Sequence, residues 1–294
     1  MDAKLISRTS NKSKIKISKF KSILTLLVIM VQFSLCSIID ENFNSEAEIV
    51  WQIDDIDYTE GGDNWEGLCS NGTYQSPINI EMDKLSELQT TSLRFAFPNL
   101  TEGLLSYQHG KLEAGYTTGT IEYETNRKMS RYKTIEFNFH APAEHSINDE
   151  EYDAEMHFKT HLLNDNNKLL YLAVLLSENN DTKDNEFFEQ LKLGDINKNT
   201  TTMRIENADF IKLLEYVNET HIFKYHGSRT KPPCEEDVEW LVLRNSVPIN
   251  PKQLDYFRNL WQNNPEFAQG RGNNRNRQSM FLINPYIHIF YINL

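Results

Sequence analysis

Four runs between Thr120 and Ser177 constrain the fold more than anything else in this sequence: "TIEYET", "YKTIEFNFH", "AEMHFKTHL" and "LLYLAVLLS". They are rich in β-branched and aromatic residues, and several alternate with period two, as strands with one face on a core do. Polar clusters, "NDNNK" and "ENNDTKDN", separate them as turns. Helical spacing occurs only in short stretches, "NEFFEQLKLG", "ADFIKLLEYVNE" and "NPKQLDYFRNLW". No internal repeat is visible. The expected fold is mixed α+β and β-dominated, one domain over residues 45–282 with short surface helices. The apolar end, "MFLINPYIHIFYINL", reads either as a last strand or as an unpaired segment, and residues 283–294 have no obvious role.

The N-terminus is of another kind. Lys4, Arg8, Lys12, Lys14, Lys16, Lys19 and Lys21 precede the apolar run "ILTLLVIMVQFSLC". That run is short for a membrane span, which needs about 20 apolar residues. Basic, then apolar, then small residues is the order of a secretory signal peptide, here residues 1–37. An uncleaved signal anchor is the alternative, and the only route to a membrane. Without this leader the chain has 23 basic against 41 acidic residues, a formal charge of −18. Such a surface argues against nucleic acid or an anionic membrane as partner.

Of three cysteines, Cys36 ends the leader. Cys69 and Cys234 remain as an even pair, suited to one disulfide in an oxidising compartment; two buried thiols are the alternative. Five glycosylation sequons, at Asn71, Asn99, Asn180, Asn199 and Asn218, agree with passage through the secretory pathway.

Residues two apart in a strand share a face. Asn138 therefore points with His140, and Glu155 with His157. If the two strands are neighbours, His140 and His157 converge. Catalytic zinc takes three protein ligands and leaves one position open for water. Two strand imidazoles and an amide fall one nitrogen short.

The wider pattern resembles the α-class carbonic anhydrases over nearly all of the chain after the leader. "NW" at Asn64–Trp65, "QSPINI" at Gln75–Ile80, "FNFH" at Phe137–His140 and "AEH" at Ala143–His145 follow that family's order. So do "YDAEMHF" at Tyr152–Phe158, "LAVL" at Leu172–Leu175, "GSRTKPP" at Gly227–Pro233, "VEW" at Val238–Trp240 and "NNRNRQ" at Asn273–Gln278. The resemblance implies a central twisted, mostly antiparallel sheet with zinc at the base of a conical cleft, and a disulfide between Cys69 and Cys234. It implies reversible hydration of CO2 to bicarbonate, with zinc lowering the pKa of bound water to about 7.

By this resemblance the zinc ligands are Asn138, His140 and His157. Glu155 fixes His157 from behind, and His145 is structural. Thr230 and Glu144 orient the zinc-bound water. Val174, Val238 and Trp240 line the CO2 pocket. Asn138 departs from the family, since a carboxamide oxygen is a poor substitute for imidazole at zinc. Losing one ligand costs on the order of 3 kcal/mol or more, beyond the ~10–100-fold effect of a group behind a ligand. Arg229 and Lys159 stand where the family has aliphatic wall residues, and Lys231 adds a third cation. The proton-shuttle position falls nearer Lys111 than His109, which reads as a surface histidine.

Three functions follow. The first is a secreted carbonic anhydrase-related domain with weak or absent hydration, binding an extracellular partner whose identity the sequence does not give. The second is a working zinc enzyme acting on CO2 and bicarbonate. The third is a structural extracellular module.

Overall fold

The computed structural model describes residues 56–87, 93–125, 128–197, 199–217, 221–262, 264–279 and 286–289. The leader and Asn218 lie outside the described residues.

The four runs become strands Thr120–Thr125, Lys128–His140, Ala154–Leu162 and Asp165–Glu178. They belong to one 13-stranded mixed sheet. The three longest lie side by side and antiparallel, Lys128–His140 against Ala154–Leu162 and the latter against Asp165–Glu178. Val238–Leu243 continues the sheet parallel to Asp165–Glu178, and His221–Gly227 pairs antiparallel beyond it. In the C-terminal segment Tyr286–Ile289 is a strand, antiparallel to His221–Gly227 and parallel to Ser86–Glu87. The fold is therefore β-dominated α+β, as the sequence implies.

Two of the three helices expected from apolar spacing are shorter than their patterns, and all three are started by a side chain. Asn185, Asp209 and Asn250 accept from backbone N–H groups at the heads of Glu186–Gln190, Phe210–Leu214 and Pro251–Leu260. Pro251 sits at the first helical position, where its missing N–H costs nothing.

Alternation along the strands separates the two faces of the sheet. Phe137, Phe139, Met156 and Phe158 enter the larger apolar cluster, with Phe187, Phe210 and Phe257 from the helices. A smaller cluster, with Ile78, Ala143, Tyr171, Tyr225, Val238 and Trp240, packs on the opposite face. A β-bulge sets which residue goes where. Thr134 opposes Thr160, but Glu136, not Ile135, opposes Lys159. The extra residue inverts the alternation beyond it. Phe137 and Phe139 thereby meet the large core, and Asn138 and His140 share the other face with His157.

Candidate metal centre

Asn138 lies directly opposite His157, and His140 opposite Glu155, across the two strands. All four side chains are buried. The imidazole centroids of His140 and His157 are 4.9 Å apart. The convergence expected from the sequence is thus present.

The hydrogen bonds fix the tautomers. His140 Nδ1 is 3.1 Å from the Asn273 carbonyl oxygen, which only accepts, so Nδ1 carries the proton. His140 Nε2 then has only a lone pair, and Asn138 Nδ2 lies 2.9 Å from it as the donor. The amide oxygen, Oδ1, is buried without a hydrogen-bond partner. Turning the amide over would set two acceptors against each other, so this orientation is the one the site dictates. On the next strand His157 Nε2 donates to Glu155 Oε1 at 2.7 Å, leaving the lone pair on Nδ1, 4.0 Å from Glu144 Oε2.

Glu155 organises this layer. Its Oε1 also meets His145 Nδ1 at 2.6 Å, and its Oε2 accepts from the backbone N–H of Glu144 and of His145, both at 2.8 Å. Burial alone would raise its pKa, but the imidazoles of His145 and His157 hold it well below the usual carboxylate range. His145 Nε2 is 2.6 Å from the Tyr225 hydroxyl, so this ring is fully engaged behind the site. Burial, then the Lys231 charge, push His140 well below the ordinary histidine range; burial also lowers His157, with Glu155 opposing.

Thr230 acts on Glu144 and lowers its pKa against the effect of burial. Glu144 Oε1 accepts the backbone N–H of Arg275 at 3.0 Å, while Oε2 is buried without a partner. Burial, then the Glu155 charge, push Glu144 up to about 8.

Two of the three wall cations are answered locally. Lys159 forms an ion pair with Glu136. Arg229 pairs with Asp237 at 2.7 Å and Glu235 at 2.9 Å. Val238 and Trp240 lie on the face that carries the site, with the Trp240 ring 4.9 Å from that of His157, edge on. Val174 does not join them. It opposes Met156 and packs in the larger core, whereas Ala173 opposes His157 and Tyr171 opposes Lys159. Which residue of a continuous apolar run faces a site depends on register, and "LLYLAVLLS" has no polar alternation to reveal it.

Sequence reasoning also missed the weight carried by Arg275 and Asn273. The buried Arg275 guanidinium donates to the carbonyls of Ser76 and Cys69 and to Gln75 Oε1. Asn273 holds His140 through its carbonyl and Ala141 N–H through its Oδ1. The only signal for either was their place in "NNRNRQ". Cys69 and Cys234 are bonded, with an S–S distance of 2.11 Å. Asn71, Asn99, Asn180 and Asn199 are all exposed, as glycan attachment requires.

A catalytic zinc does not fit these residues. Three protein ligands would be needed, and at the positions the resemblance implies only His140 and His157 offer a nitrogen lone pair. The His140 lone pair already receives the Asn138 amide. Two carboxylate-containing clusters lie close together, His140–Glu144–His157 and His145–Glu155–His157. In the first, the nearby His140 Nδ1 holds a proton and Glu144 favours its neutral form. In the second, the facing atoms are already hydrogen-bonded to one another.

The sheet and the buried strand histidines define an α-carbonic anhydrase architecture, and the comparisons agree. The family model for eukaryotic-type carbonic anhydrase matches residues 60–282, and the chain belongs to that family. Among its relatives, dioscorin DB3L of Dioscorea polystachya is 26% identical over 230 residues, covering 68% of this chain and 76% of that one. A carbonic anhydrase of Pectobacterium carotovorum is 25% identical over 201 residues, covering 65% and 73%. Carbonic anhydrase Cah3 of Chlamydomonas reinhardtii, solved with acetazolamide, superposes with a TM-score of 0.65 at 20% identity, covering 78% and 96%. Dioscorin solved with ascorbate gives 0.66 at 20%, covering 81% and 99%.

Proposed function

We propose that this chain is a secreted carbonic anhydrase-family domain whose zinc-dependent CO2 hydration is weak or absent, and that it acts as a binding module. The Asn138 amide N–H on His140 Nε2 carries this reading. It occupies the lone pair a metal would use, so the apo site is already internally hydrogen-bonded. A metal must break that contact and gains only a carboxamide in exchange. Secretion is supported by the Cys69–Cys234 disulfide, since such bonds persist in oxidising compartments. Among the described residues no helix is long and apolar enough to cross a membrane. Dioscorin, whose solved form is a complex with ascorbate, is a precedent for this fold binding a small organic acid.

One observation favours a second reading, a working hydratase. Thr230 acts on Glu144, and Glu155 is hydrogen-bonded to His157, and such chemistry needs both supports. Zinc content of the purified protein, measured with stopped-flow CO2 hydration, separates the two. We expect substoichiometric zinc and hydration near background. Stoichiometric zinc with sustained turnover would establish the second reading instead.

A further inference from the structure

Lys231 follows Thr230 in the loop between the His221–Gly227 and Val238–Leu243 strands. The residue is half-buried, but its Nζ is fully buried and makes no hydrogen bond. An ammonium group has three donors and no acceptor, and burying one without partners is costly. A neutral amine at the same atom has no charge to solvate, and it has a free lone pair.

The surroundings favour the neutral form. Lys159 and Lys111 oppose a further cation, while Glu113 and Glu144 support it. On its other sides Lys231 acts on Glu136 and His140. Glu136 is engaged by Lys159, and Glu144 is itself held toward its neutral form. Burial, then the Lys159 charge, bring the Lys231 amine down to about 7. A large share of it is therefore nucleophilic near neutral pH. Exposed Lys84 and Lys252 are shifted the other way: Lys84 is raised chiefly by its hydrogen bond to Glu81, and Lys252 by Tyr256 and Asp184.

We infer that Lys231 Nζ is a covalent carbon dioxide site, holding CO2 as a carbamate. The amine lone pair attacks the carbon of CO2 and forms an N–C bond. One C–O π bond opens, and its electron pair becomes the carboxylate charge. The nitrogen releases one proton to solvent. Amine and CO2 thus give carbamate and a proton, with no oxidant or co-reactant. CO2 is small and uncharged, so it reaches a buried amine at little desolvation cost. The product is an anion, and a position beside Lys159 and Lys111 that disfavours another cation favours one. The step uses no metal, so it stands whether or not the protein hydrates CO2.

The test equilibrates the purified, disulfide-intact protein with carbon-13 bicarbonate near neutral pH. Triethyloxonium then converts any carbamate to a stable ethyl ester, located by peptide mass spectrometry. The isotopic label is expected on the Lys231 peptide at several-fold higher occupancy than on exposed Lys84 or Lys168. Occupancy should fall as the pH is lowered, because protonation removes the lone pair. An unlabelled Lys231, or labelling no greater than that of the exposed lysines, would overturn the inference. In carbon-13 NMR the carbamate resonance should vanish in Lys231→Arg; an unchanged resonance there would overturn it too. If that variant fails to fold, the peptide map of the native chain decides alone.

Discussion

Asn138 leaves different chemistry on this strand from a histidine. The amide donates to the His140 lone pair and strands its own oxygen. Asn138→His should raise zinc affinity by at least ~10–100-fold, measured by competition with a chelating dye. Hydration should stay low, because Lys159, Arg229 and Lys231 still surround the cleft. Glu155 is a different kind of residue, since four hydrogen bonds end on it. Glu155→Gln leaves buried donors mismatched and should destabilise the fold by about 3 kcal/mol in urea denaturation. Lys231 gives a pH signature. Its amine is depressed in the folded state, so between about 7 and the ordinary lysine value of 10.5 the unfolded chain binds more protons. Stability contributed there rises with pH, and the full penalty applies below about 7. The melting temperature of Lys231→Met relative to wild type should therefore be most favourable near neutrality and lose that advantage toward pH 10. Glu144 runs the other way below about 8, and loss of the Lys231 charge raises it further.

At the scale of elements, the bulge at Ile135 and the helix caps do what patterning alone does not. The four strand runs were legible as strands because alternation and β-branching agree with each other. The helices Glu186–Gln190 and Phe210–Leu214 were legible in place but not in length, since their apolar patterns extend past the turns that form. Caps decide where those turns begin. Asn250→Ala removes the acceptor for Lys252 N–H and should cost about 1 kcal/mol, read as a shift of the urea midpoint with an unchanged slope. Val174 shows the limit of reading a site from a buried strand. Ala173 and Tyr171 share the sheet face of His157 because the Ala154–Leu162 strand pairs at that register and not one residue away.

Across the whole molecule, the disulfide ties the loop after Gly227 to the short helix Leu68–Asn71. Cys69 and Cys234 are 165 residues apart in sequence. Both are buried, so neither should react with a thiol reagent in the native protein. Reduction should cost about 2–5 kcal/mol, measured as the difference in urea denaturation with and without reductant. Arg275 serves the same junction without a covalent bond, joining Cys69, Gln75 and Ser76 to the Glu144 that sits under the cleft.

The sequence by itself determined the β-dominated class, the family, the pair of strand histidines and the substitution at the third position. The class and the histidine pair were legible because residue type and period-two spacing are local properties, while the family and the third position came from the resemblance of motifs in their shared order. Only the tertiary structure decided which way the Asn138 amide turns, that Lys159 and Arg229 are neutralised by acidic partners, and that the Lys231 nitrogen is buried without one. Those outcomes depend on charges and hydrogen-bond partners brought together from distant strands, and on a register set by one bulged residue.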